Sequence, residues 1–127
     1  MKRVYLAGPI SKGDLAHNIN QASEAFARLA LAGLSPLCPQ WSAFSGGAHW
    51  SHFGDVVRVE GVATATGCGL SHADWLRVDL LWVAVCDAVL RLPGESVGAE
   101  QETAFAKMNG IPVFTDEREL LMWAGGN

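Results

Sequence analysis

Two rhythms run along this chain: short, unbroken apolar runs, and longer stretches in which apolar residues return at helical spacing. Arg3–Ala7 is an apolar run with a β-branched residue and an aromatic, closed by Gly8-Pro9. It predicts a buried strand. Gly8 to Asp14 is a polar, glycine-bearing loop. From about Asn18 a helix follows, with Ile19, Ala22, Phe26, Leu29 and Ala30 on one face and Gly33 as its stop. Leu34–Cys38 reads as a second short strand, ended by Pro39. Ser71 to Asp74 has the layout of a helix start, with Ser71 as cap and Asp74 in the acidic position of a capping box. That helix runs to about Val85 and is apolar almost all round. A third strand, Ala88–Leu92, is followed by a glycine turn and a helix from Ala99 to Asn109. Ile111–Phe114 is a last strand, and Glu117–Trp123 a last short helix.

Residues 39–70 break the rhythm. They hold six glycines and the aromatics Trp41, Phe44, Trp50 and Phe53. A loop this long inside a small domain is unusual unless it has a function. Val56–Val62 fits a strand or a helical turn. The aromatics fit a satellite core under the loop, or a wall on which Trp41 and its neighbours stack a planar ligand.

Strands alternating with helices predict an α/β fold: a parallel sheet of four to five strands with helices on both faces, a flavodoxin-like or Rossmann-like three-layer sandwich. Right-handed crossovers favour a strand order of 2-1-3-4. The first and third strands are then neighbours at the switch point, and ligands bind beyond their carboxyl ends. The loops meeting there are Gly8–Asp14 and Pro93–Ser96.

Composition narrows the function. A chain of 127 residues is read as a single domain, residues 1–127, with enough apolar content (50%) for a real core. Net charge is −4, with no cluster of lysine or arginine, which argues against a nucleic-acid polymer as partner but leaves a mononucleotide open. No apolar run has the length of a membrane span, and the N-terminus lacks a signal-peptide layout. Cys38, Cys68 and Cys86 form no paired framework, so a reducing cytoplasm is the expected compartment.

The candidate chemistry centres on Pro93–Glu102. Pro93-Gly94 ends the strand, Ser96 is a good N-cap, and the first amides of the helix have no internal partner. Gly98 leaves the backbone open to a ligand, and Glu102 lies in the second turn. Such a turn offers an anion site with a carboxylate one turn deeper. A capped helix with a surface Glu is the plainer account. Asp79 sits within the apolar helix, where an unpaired carboxylate costs several kcal/mol or takes a raised pKa. Arg77 or a backbone amide is a structural partner for it; a functional role is the alternative. His49, His52, Cys68 and His72 contain metal-ligand types, but their spacing matches no common zinc site. No Gly-x-Ser-x-Gly elbow, dinucleotide fingerprint or P-loop lysine is present. No metal or cofactor is expected.

Three motifs together resemble the nucleoside 2-deoxyribosyltransferase superfamily, which includes the 2'-deoxynucleoside 5'-phosphate N-hydrolases. They are Val4-Tyr5-Leu6-Ala7-Gly8-Pro9-Ile10, Asp79 eight residues before Asp87, and Ser96-x-Gly98-x-x-x-Glu102. The resemblance implies Glu102 as nucleophile at the anomeric carbon, Asp79 as proton donor or sugar-orienting carboxylate, and Tyr5 as the residue holding the nucleophile. With the two glycine turns and the loop aromatic, the substrate site is expected to comprise Gly8, Pro9, Ile10, Ser11, Lys12, Ser96, Gly98 and Trp41, and the resemblance implies a homodimer or larger assembly. The position six before the nucleophile is Asp in typical transferases and a phosphate-contacting Ser in the nucleotide hydrolases. Here it is Ser96, which favours a nucleoside 5'-monophosphate and an N-hydrolase. The hydrolases carry an Arg near Ser11, and Lys12 is the neighbouring cation. The alternatives are a base-exchanging transferase and a non-catalytic nucleotide sensor on the same fold.

Overall fold

A β-branched and aromatic run without a polar break belongs in the middle of a sheet, and Arg3–Ala7 (β1) takes that place. The computed structural model describes residues 1–10, 12–44, 56–59, 62–65 and 72–125. After β1 come α1 (Leu15–Leu31), β2 (Ser35–Leu37), a 3-10 helix (Pro39–Phe44), β3 (Val56–Val59) and β4 (Val62–Ala65). Then follow α2 (His72–Val83), β5 (Ala88–Arg91), α3 (Val97–Met108), β6 (Val113–Phe114) and α4 (Glu117–Gly125). Four strands form one parallel sheet in the order β2-β1-β5-β6. That is the 2-1-3-4 order expected, with β1 and β5 adjacent at the switch point.

Strand alternation sorts the core. Val4 and Leu6 point to one face, where they meet Ala22, Ala25 and Leu29 of α1 and Leu120 of α4. Tyr5 and Ala7 point to the other, where they meet Val83 of α2 and Ala99 and Ala106 of α3. The sheet is thus the middle of three layers, as a flavodoxin-like fold requires.

Several boundaries differ from expectation for local reasons. α1 starts three residues early because the Asp14 side chain caps it, accepting a hydrogen bond from the His17 amide at 3.2 Å. Its buried stripe is centred on Asn18, Ala22, Ala25 and Leu29, which leaves Ala30 past the edge and exposed. β6 has two residues because Pro112 has no N–H; its carbonyl still accepts from the Val89 amide at 2.9 Å. α2 is not buried all round: Val83 is fully buried, whereas Leu81 and Trp82 are exposed. Val56–Val59 and Val62–Ala65 pair antiparallel as β3 and β4, so these residues are strand and not a helical turn. Ser71, the expected cap of α2, and the aromatics Trp50 and Phe53 lie outside the described residues. Among the described residues no helix is long and apolar enough to cross a membrane.

Candidate active site

The site is built where three elements bring polar side chains into an apolar layer. Tyr5, on the central strand, is fully buried, so its phenol needs a polar partner. It finds one in α3. That helix turns Ala99, Glu102, Thr103 and Ala106 inward, the i, i+3, i+4, i+7 stripe of a sheet-packed helix, and Glu102 takes a core position within it. The Tyr5 hydroxyl donates to Glu102 Oε2 at 2.5 Å. α2 packs beside α3 and supplies Asp79, half-buried and hydrogen-bonded to Glu102. The sequence expectation that Tyr5, Asp79 and Glu102 converge therefore holds in the geometry, and Glu102 is no surface residue.

The electrostatics follow from burial. Loss of water raises the Glu102 pKa to about 8. The Tyr5 hydrogen bond opposes that rise, the charge of Asp79 and the hydrogen bond with it add to it, and the nearby charge of Arg91 lowers it. Tyr5 itself is held well above its ordinary value, first by burial and then by the charges of Glu102 and Asp79. The phenol therefore stays a proton donor throughout the physiological range. A hydrogen bond between two carboxyls requires a proton on one of them, so below about pH 8 the pair carries a proton. Such a pair can present one carboxylate and one acid to a reacting bond.

The two glycine turns meet as the topology requires. Gly94 has φ +115°, and a Cβ there would lie 2.8 Å from Pro9 Cγ. A Cβ on Gly8 would lie 3.0 Å from Leu92 Cβ. Glycine at both positions lets the loops after β1 and β5 touch. Gly8 and Pro9 are buried there, and Ile10 is half-buried. The Ile10 carbonyl accepts from Asn18 Nδ2 at 2.9 Å, and the Lys12 carbonyl accepts from the same amide at 2.8 Å. Ser96 caps α3, accepting from the Ala99 amide at 3.0 Å, and Gly98 is half-buried in the first turn.

A cavity of about 450 Å³ opens at the start of α3, lined by Lys12, Arg91, Gly94, Glu95, Ser96 and Glu100 among others. Its two cations already face carboxylates: Lys12 is 3.8 Å from Glu95, and Arg91 is 2.9 Å from Glu100. Tyr5, Asp79 and Glu102 are not part of this lining. Trp41 stands against α1, with its ring centroid 4.5 Å from that of Phe26 and its Nε1 donating to Ser23 Oγ at 2.8 Å. Arg77 lies 3.8 Å from Asp74 on the exposed side of α2. Ser11 lies outside the described residues, as do His49, His52, Cys68 and the side chain of His72.

Three polar residues escaped the sequence reading. Asn18 is buried on the apolar stripe of α1 and ties down the first loop. Gln40 is fully buried, donating to the Leu6 carbonyl at 3.3 Å, next to Gly8. Arg91 ends β5 and braces the second loop. Asn18 and Arg91 each had a signal, a polar residue inside an apolar stripe or run, whereas Gln40, between Pro39 and Trp41, had none.

No protein-family model matches the sequence, and no curated protein matches it. Among solved structures, a 2-deoxyribosyltransferase from the psychrotolerant bacterium Bacillus psychrosaccharolyticus superposes with a TM-score of 0.56 at 18% identity. The match covers 87% of this chain and 69% of that one. The two chains share a fold. At this identity the likeness speaks for architecture alone, and what the side chains do has to be argued from their own geometry.

Proposed function

We propose that this chain is a cytoplasmic N-glycosidase of the nucleoside 2-deoxyribosyltransferase type, acting on a nucleoside or its 5'-monophosphate. The observation that carries the reading is the buried Tyr5–Glu102–Asp79 cluster beside the switch point of the sheet. In its ionised form Glu102 attacks the anomeric carbon. The electron pair of the breaking C–N bond leaves with the base, which takes a proton from Asp79. The glycosyl ester on Glu102 is then released by water, giving N-hydrolysis. Tyr5 keeps Oε2 of the carboxylate hydrogen-bonded and so holds the nucleophile in place. The paired state of Lys12 and Arg91 means that a 5'-phosphate reaching Ser96 has to displace Glu95 or Glu100.

Release of the ester to a second base, rather than to water, is the second reading. The solved neighbour is itself a 2-deoxyribosyltransferase, and a charge-balanced cavity suits a neutral sugar terminus. The test is chromatography of free base after incubation with a panel of nucleosides and their 5'-monophosphates, with and without an added acceptor base. Hydrolysis is expected with at least one substrate, without need of acceptor. Product only with acceptor moves the chain to base exchange. No release and no exchange, alongside measurable nucleotide binding, replaces the enzyme with a sensor.

A further inference from the structure

A glycine turn that presents a ligand must have its own carbonyls satisfied, or it will fluctuate. Leu92, Pro93 and Gly94 supply three successive carbonyls, and each accepts a side-chain N–H. Arg91 Nη1 donates to the Leu92 carbonyl, and Arg91 Nη2 donates to the Gly94 carbonyl at 2.8 Å. Gln21 Nε2 of α1 donates to the Pro93 carbonyl at 3.2 Å. Arg91 further holds Glu100 of α3 through Nη2 at 2.9 Å and Nε at 3.3 Å. Its guanidinium is thus a single planar group spanning the end of β5, the turn and the first part of α3. An exposed arginine on a surface pair contributes little, but this side chain is only 13% exposed. Strand alternation also puts it on the face of Val89, the face that holds Tyr5 and Glu102.

We infer that Arg91 is a positioning residue for the candidate site: its guanidinium clasps the turn at residues 92–94 to α3 and so fixes where Ser96 and Glu102 stand. Lysine cannot replace it, because an ammonium lacks the planar fork that reaches several acceptors in fixed directions. Titratable or charged groups face Glu102 from each of three neighbouring elements: Tyr5 on β1, Asp79 on α2 and Arg91 on β5. Of these, Tyr5 and Arg91 favour the ionised form, so removing the guanidinium also moves the Glu102 titration upward.

The inference uses the proposed role of Glu102 only in its catalytic arm, and the deciding measurements need no turnover. Hydrogen exchange by mass spectrometry on the unliganded full chain compares wild type, Arg91→Gln and Arg91→Lys. Peptides spanning residues 92–100 are followed, with β1 and α1 peptides as internal reference. Arg91→Gln is expected to speed exchange in 92–100 at least tenfold while the reference peptides hold. Arg91→Lys should fall between wild type and Arg91→Gln, and it stands in for it if the glutamine variant does not fold. Carboxyl-carbon NMR, with the Glu102 signal assigned by its loss in Glu102→Gln, should show an upward titration midpoint in Arg91→Gln and one near wild type in Arg91→Lys. If base release is observed, Arg91→Gln should lower kcat and shift the pH profile upward, with Arg91→Lys restoring the profile but not the full rate. Unchanged exchange at 92–100 in both variants overturns the inference. So does an equal rise across β1 and α1, which would make Arg91 a general stabiliser of the fold. A protein that releases no base but still shows the local exchange effect loses the proposed reaction and keeps the clasp.

Discussion

Glu102→Gln isolates the energetic consequence of burying an ionisable group against Tyr5 and Asp79. An unfolded glutamate ionises near 4.5, whereas in the folded chain Glu102 ionises at about 8. A raised pKa favours the folded state at low pH, and that advantage is lost as pH rises from the unfolded value through the folded one. Between pH 5.5 and pH 8 the ionisation penalty grows by about 1.4 kcal/mol per unit, so roughly 3 kcal/mol of stability is lost to this group and its coupling to Asp79. Glutamine keeps the shape and still accepts from Tyr5 but never ionises. Urea unfolding at pH 5.5, 7 and 9 would measure both proteins, and groups that do not interact with Glu102 cancel in the difference. The stability of the variant relative to wild type should rise by roughly 3 kcal/mol between pH 5.5 and pH 9, while turnover falls at least about a hundredfold because an amide is a poor nucleophile. Parallel stability curves across this range would refute the argument that Glu102 is neutral and buried in the folded state.

The same cluster gives signs for its other members. Asp79→Asn removes both a charge that raises Glu102 and the acid that protonates the leaving base, so the high-pH limb of kcat/KM should disappear while the maximal rate falls; an unchanged profile with lost thermal stability would make Asp79 structural. Tyr5→Phe deletes a hydrogen bond to the ionised form, which contributes about 1.5–3 kcal/mol, so the pH profile should move to higher pH. Gly94→Ala forces a side chain into φ +115° against Pro9 and should cost at least about 2 kcal/mol, read as a lower urea midpoint with the slope unchanged. The exposed Leu81 and Trp82 of α2 fit burial in a homodimer, and light scattering at micromolar concentration should give twice the chain mass; a monomer mass would remove that assignment.

Periodicity alone made the sheet readable. The runs at Arg3–Ala7 and Ala88–Arg91 are apolar because both faces of their strands are covered, and alternation with helices then left few topologies. Glu102 was singled out by its spacing from Ser96 and by the resemblance, but its burial was not readable, since a surface Glu on a capped helix was the plainer account. Its raised pKa was harder to foresee. The sequence points to Asp79 as the desolvated carboxyl, since Asp79 sits among apolar letters. Yet Leu81 and Trp82 beside it are exposed, while Glu102, among small residues, is in the core. Letters report composition along a helix, not which arc faces inward. Arg91, Asn18 and Gln40 were missed because their partners are backbone carbonyls, whose positions exist only once the loops are folded.

The hydrogen bond between Tyr5 and Glu102 has a further consequence for how the sheet finds its register. β1 pairs with β5 across more than eighty residues, Val4 opposite Ala88 and Ala7 opposite Arg91. Long-range parallel pairing of this sort forms late and is open to error. Val4, Leu6 and Ala7 are apolar and interchangeable enough that a slipped ladder would bury nearly the same surface. A slip of one residue, however, turns every side chain of the strand to the opposite face. Tyr5 would then point toward α1 and α4, its hydroxyl among Ala22, Ala25 and Leu29, and Glu102 would face Val4 or Leu6 with no donor. Each stranded polar group costs about 1–3 kcal/mol, and the misplaced Tyr5 ring would overpack the α1 face as well. Tyr5 carries the strand's one polar side-chain atom among its four buried positions, and that single hydroxyl tells the correct ladder from its neighbours.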